Sequence, residues 1–178
     1  SRGPMLKTGA VGSKFGVPVE CMFDMAMETN TALWSHVPPL IGASGTFDAL
    51  YYTLPASNTI RADAKANFST IMTSPEWLKW ADETVRCLTV SGYPRTRMLY
   101  QELANEIWNF AHPFWWSTNY FWGFGDALGS KGPSYGLGYA SAHYAFLFNL
   151  ALKDKGMADQ AWTIVLAGQM ANTSTTQG

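Results

Sequence analysis

Apolar residues in VPVECMFDMAMETNT (17–31) fall at positions 19, 22, 23, 26 and 27. That is the spacing of one helix face, so a helix is expected there, with Pro18 suited to its first turn. The pattern changes at ALWSHVPPL (32–40), where apolar positions alternate before two prolines stop the run. This predicts a strand of about five residues. IGASGTFDALYYTLPASN shows no period and reads as an irregular connection. Helical spacing returns from residue 59 in TIRADAKANFSTIMTS and breaks at Ser74-Pro75. There Ser74 can cap a new helix with Pro75 at its first position. That helix, PEWLKWADETVRCLTV, should end near Gly92, with Pro94 soon after.

RMLYQELA follows as a buried strand, since no N-cap signal precedes it. AHPFWWSTNYFWGFGDALGSKGPSYG, dense in aromatic residues and glycine, is expected to be a long loop. A second long helix is expected from residue 138, in LGYASAHYAFLFNLALKDKG, ending near Gly156. AWTIVLAGQMANTS closes the chain, and its TIVLAG is the most strand-like run of all. Strands separated by long helical crossovers imply parallel pairing, and continuous apolar strands suit a sheet buried on both faces. The expected class is α/β, as one segment over 17–178, with the Gly-rich SRGPMLKTGAVGSKFG (1–16) as loop or linker. Three strands are too few to close an eight-stranded barrel, which typically takes about 250 residues.

Composition narrows the function classes. Twelve basic residues stand against thirteen acidic ones, with no clustered run of either sign. This argues against nucleic acid or an anionic membrane as a partner. No apolar run reaches the roughly 18 residues that span a bilayer. Charged residues make up only 14 % and aromatic residues 15 %, with eight Trp and eight Tyr. Such a chain carries a large core, an aromatic-lined cleft, or both, and the apolar C–H faces of sugars stack on indoles and phenols. Cys21 and Cys87, far apart and within helical patterns, give neither a disulfide framework nor metal-ligand spacing. The three histidines and scattered acids show no such spacing either, so no metal and no cofactor are expected. GFGDALGSKG lacks the strand, turn and helix of a phosphate loop, and Ser35 lacks the glycine setting of a hydrolase serine.

In α/β folds functional groups collect where strands end at their C-terminal edge. Three such places are visible: Trp34-Ser35-His36, Asn105-Glu106-Ile107-Trp108-Asn109, and Gly168-Gln169. In QELANEIWNF, Glu102 and Glu106 fall on one face of a strand. A partly buried carboxyl beside an amide and an indole suits proton donation to a glycosidic oxygen.

YQELANEIWN resembles the fourth-strand motif of clan A glycoside hydrolases, in which an Asn-Glu pair carries the general acid/base. GVPVECMFDMAMETNTALWSHVP is similar to the helix and third strand of a cellulase-like branch, SPEWLKWADETVRCL to its third helix, and AWTIVLAGQMANTS to its fifth strand. The likeness runs over residues 16 to 175. It implies the central part of a TIM (β/α)8 barrel, strands three to five, incomplete in this chain. It further implies Glu106 as general acid/base, with Asn105 bonded to the sugar 2-hydroxyl. Trp34, His36 and Trp108 would line sugar subsites or support Glu106, and Gln169 would sit at the rim. Glu102 would be a structural carboxylate held by an arginine. The nucleophilic Glu of a seventh strand, about 5 Å from the acid/base, has no counterpart here. The remaining strands would come from the same longer polypeptide or from another chain, and this chain alone is expected to be inactive.

Two functions follow as expectations. One is a glycoside hydrolase acting on β-linked polysaccharide, secreted because its substrate is extracellular. The other is a non-catalytic structural or glycan-binding protein that keeps the scaffold, for instance in an extracellular assembly. His112 and His143 read as packing or surface groups. Trp115-Trp116 and Tyr120-Phe121-Trp122 fit a glycan platform, core packing or a subunit contact equally well.

Overall fold

A computed structural model describes residues 18–42, 57–104, 115–129 and 131–166, with backbone alone for residues 57, 58, 115 and 116. In chain order the elements are α1 (Val19–Glu28), β1 (Leu33–Val37), α2 (Ser57–Ala66), α3 (Phe68–Met72) and α4 (Glu76–Ser91). They continue with β2 (Leu99–Leu103), α5 (Trp115–Ala127), α6 (Pro133–Asp154) and β3 (Trp162–Val165). The three strands form one parallel sheet in the order β1-β2-β3. The fold is therefore α/β, with helical crossovers between its strands. The expected segment 1–16 and most of the irregular connection after β1 lie outside the described residues.

Local chemistry explains the boundaries. The Ser74 hydroxyl accepts a hydrogen bond from the Glu76 amide at 3.3 Å, so α4 starts where the capping signal placed it. Gly92 closes α4 in the left-handed region at φ 68°, and the Tyr93 amide reaches back to the Leu88 carbonyl at 3.1 Å. Tyr93 then ties the first strand pair together. Its hydroxyl accepts from the Leu33 amide and donates to the Met98 carbonyl, both at 2.9 Å.

The core lies on one side of the sheet. Leu33, Val37, Leu99 and Leu103 point into it and meet Phe23 of α1, Val85 and Leu88 of α4, and Tyr144 and Phe148 of α6, all buried. Phe148 meets Trp162 of β3 edge-on, with ring centroids 4.8 Å apart. A second layer forms where α5 packs between α2 and α6.

That second layer corrects the loop expected over residues 111–136. Residues 115–127 are helical, and α6 begins at Pro133 rather than at 138. The aromatic and glycine content concealed a helix for two reasons. Tyr120, Phe121 and Phe124 are all fully buried, so α5 shows no single apolar stripe. Its glycines are sites of close approach: a Cβ at Gly123 would stand 2.5 Å from the Arg61 carbonyl oxygen. A Cβ at Gly136 of α6 would stand 2.0 Å from the Phe121 carbonyl oxygen.

Candidate functional site

Alternation along β1 buries Leu33, Ser35 and Val37 and leaves Trp34 and His36 exposed. Along β2 it sends Leu99, Gln101 and Leu103 into the core. Parallel register sets Trp34 opposite Tyr100 and His36 opposite Glu102. Side chains of paired residues share a face, so these four gather on the side away from the helices. Trp34 and Tyr100 pack with ring centroids 5.8 Å apart and planes tilted by 32°.

Glu102 organises this face. Its Oε2 accepts the Trp34 indole N–H at 3.0 Å and lies 3.0 Å from His36 Nε2. The carboxylate is buried, 4 % exposed, while Trp34 is 52 % exposed. Among the described residues, then, Glu102 is held by these two rings and not by the expected arginine. Four described arginines serve elsewhere: Arg61 on Asp126, Arg86 on Glu20 and Glu83, Arg95 on Asp159, and Arg97 on Asn30. The register instead places two nitrogen-bearing rings of the neighbouring strand over the carboxylate.

The strands end together. Val37 pairs with Leu103, and Val165 pairs with Glu102. Just past β2, Ala104 takes the left-handed conformation at φ 63°, and its amide donates to the Val37 carbonyl at 3.1 Å. A side chain there costs on the order of 1 kcal/mol, and such strain collects at functional sites. The next residue is Asn105.

Of the residues singled out in the sequence, Trp34 and His36 are brought together over Glu102. Asn105, Glu106, Trp108, Gln169 and His112 lie outside the described residues. Tyr100 was not anticipated, though its place two positions before Glu102 puts it on the same face of the strand. Ser35 is buried and structural: it accepts a hydrogen bond from Gln101 Nε2, and Gln101 Oε1 accepts the Tyr144 hydroxyl at 2.8 Å. His143 packs edge-on to Trp77 at 5.6 Å, and burial holds its imidazole below the usual pKa. In the aromatic cluster Tyr120 and Phe121 are core residues, and Trp122 lies under the Arg61 guanidinium at 4.2 Å.

Two other features have the outline of a site. Donor atoms of Glu20, Glu83 and Cys87 lie within 4.8 Å of one another. The Arg86 guanidinium already bonds both carboxylates, at 3.1 and 2.5 Å, and burial pushes the Cys87 thiol up to about 11. A cation there would have to displace arginine and meet a thiol rather than a thiolate. A shallow groove of about 470 Å³ runs along Pro38, Ile41, Gly42, Glu76, Lys79 and Trp80. None of Trp34, His36 and Glu102 lines it. Among the described residues no helix is long and apolar enough to cross a membrane.

The arrangement over Glu102 joins an exposed indole, a half-exposed imidazole and a buried carboxylate. It can stack on an apolar ring face and exchange hydrogen bonds with hydroxyls. No family model, curated protein or solved structure matches the chain.

Proposed function

We propose that the chain is the central part of a (β/α)8 glycoside hydrolase acting on β-linked polysaccharide outside the cell, with Glu106 as general acid/base. The observation that carries this reading is the bonding of exposed Trp34 and His36 to Glu102, four residues ahead of Glu106. The stacking rings lie along the outer face of β1 and β2, and His36 and Glu102 stand one residue before the C-terminal strand ends, the side on which barrel enzymes keep their chemistry. The left-handed Ala104 turns the backbone immediately before the Asn-Glu pair.

In this reading Glu106 protonates the leaving glycosidic oxygen, and Asn105 bonds the sugar 2-hydroxyl, a contact that strengthens in the transition state. The nucleophile and the remaining strands are supplied by more of the same polypeptide or by another chain. Placing them against β1 and β3 would also pair the two sheet edges that are open among the described residues.

The test is hydrolysis of aryl β-glycosides and soluble β-glucans by the complete polypeptide and by its Glu106→Gln and Glu106→Ala variants. Both variants are expected to lose about 10²–10⁴-fold in kcat, the usual worth of a positioned acid/base. Equal hydrolysis by all three proteins would refute the role of Glu106. The alternative, a non-catalytic glycan-binding or structural protein, draws on the same exposed Trp34. Sugar binding with no hydrolysis by the complete polypeptide would favour it.

A further inference from the structure

We propose that Glu102 is a positioning residue that locks His36 in one tautomer and holds the Trp34 indole as a stacking platform, so that His36 Nδ1 accepts a hydrogen bond from a sugar hydroxyl. The assignment of a sugar to the pair rests on the hydrolase reading above. The lock itself does not.

An indole N–H only donates, so the 3.0 Å contact makes Glu102 Oε2 an acceptor from Trp34. The same oxygen is 3.0 Å from His36 Nε2. A carboxylate oxygen only accepts, so the proton of this contact sits on the ring nitrogen. His36 Nε2 is therefore the donor, and in the neutral ring Nδ1 is left with its lone pair. Among the described residues no hydrogen bond to Nδ1 is formed, and half of the His36 side chain, 51 %, is exposed.

One buried carboxylate thus serves two exposed rings. Glu102 is itself packed beneath them at 4 % exposure, so its oxygen is a fixed point. Trp34 is held at its N–H and packs beside Tyr100, while half of the residue stays exposed. A ligand matched to the pair has an apolar C–H face and, beside it, a hydroxyl donor. A pyranose ring has both. The phosphate of a nucleotide would find an acceptor nitrogen next to a carboxylate, which is unfavourable for an anion.

The experiment is long-range ¹H–¹⁵N NMR of the His36 ring in the labelled complete polypeptide, at about pH 8, above the ordinary imidazole range. The expected result is a single Nε2–H tautomer with no Nδ1–H signal. In Glu102→Leu both tautomers should appear, and the Trp34 indole proton should exchange faster with water. Glu102→Gln, which keeps a carbonyl acceptor, should restore most of the Nε2–H pattern. Trp34→Phe should leave the His36 tautomer unchanged. An Nδ1–H signal in the wild-type ring would overturn the proposal, as would identical ring signals in wild type and Glu102→Leu. Should Glu102→Leu not fold, the wild-type ring and the Glu102→Gln and Trp34→Phe spectra still decide. The readout needs no sugar: a locked tautomer in a protein without hydrolase activity sinks the proposed function and the sugar assignment that rests on it but leaves the lock standing, and an unlocked one sinks this inference alone.

Discussion

Replacing Tyr144 by Phe isolates one hydrogen bond in the middle of the core. The Tyr144 ring is fully buried and its hydroxyl donates to Gln101 Oε1 at 2.8 Å. Gln101 in turn donates from Nε2 to the Ser35 hydroxyl, so the chain of bonds ties α6 to β2 and β2 to β1. Phe keeps the ring and removes the donor, leaving Gln101 Oε1 unpaired in a place 1 % exposed. The nearby Thr84 hydroxyl donates to the Trp80 carbonyl at 3.0 Å and keeps that bond. The cost therefore falls on Gln101 and should be about 1–3 kcal/mol. For a chain of this length each kcal/mol moves the melting midpoint by about 2–4 °C, so a fall of about 2–12 °C is expected. Urea melts followed by circular dichroism should show a lower midpoint with an unchanged slope. Burial holds the phenol well above the usual tyrosine range, so the loss should be the same on either side of neutral pH. Gln101→Leu alone should cost more, because it strands both the Ser35 and the Tyr144 hydroxyls. The double variant should recover part of that sum, by about 0.5–3 kcal/mol. A neutral Tyr144→Phe, or strict additivity of the two changes, would refute the relay.

Two glycines of α6 should respond with opposite signs. Gly136→Ala would force a Cβ to 2.0 Å from the Phe121 carbonyl oxygen, and overpacking should destabilise by at least about 1–3 kcal/mol in a urea melt. A Cβ at Gly138 would meet nothing within 4 Å, so Gly138→Ala should stabilise by about 0.5–1 kcal/mol. The Asp126 carboxyl is held below its usual range, first by the hydrogen bonds from Arg61. Its contribution is present above the ordinary pKa of 3.8 and is lost as pH falls through the lower folded value; Asp126→Asn should flatten the acid limb of a stability profile in that window. His143 behaves separately: burial lowers its folded pKa, so the unfolded chain binds the proton first and stability should fall as pH drops below 6.5. His143→Gln should remove that slope and leave the Asp126 window unchanged.

Elements whose apolar period matches a single buried face were legible in the sequence. β1 alternates cleanly, α4 carries its Ser-Pro start and glycine stop, and β3 is a short apolar run, so each lies close to its expected place. The helix α5 was not legible, because it is covered on several sides and uses glycine for contact where sequence rules read glycine as a breaker. Near the site, Trp34 and His36 could be picked out as polar-tipped rings beside a strand end. Their common partner could not, since only the β1–β2 register decides whether Glu102 meets an arginine or the two rings.

That register also shows why core and candidate site are inseparable here. The alternation that buries Leu33, Ser35 and Val37 is the one that turns out Trp34 and His36; the alternation that buries Leu99, Gln101 and Leu103 sets Tyr100 and Glu102 on that same outer face. Sliding β1 by one residue against β2 would offer Trp34 and His36 to the helices and turn Leu33 and Val37 outward. Two buried polar devices oppose such a slip. The Ser35–Gln101–Tyr144 relay fixes β1 and β2 from the helix side, and Tyr93 clamps the Leu33 amide and the Met98 carbonyl at the start of both strands. Neither device touches the outer face, yet each should govern it. Tyr93→Phe should therefore disturb the Trp34 indole and His36 ring signals in NMR spectra, although no atom of Tyr93 bonds either ring. Unchanged signals in a destabilised Tyr93→Phe would mean that apolar burial alone sets the register and that the polar clamps add stability without specifying the site.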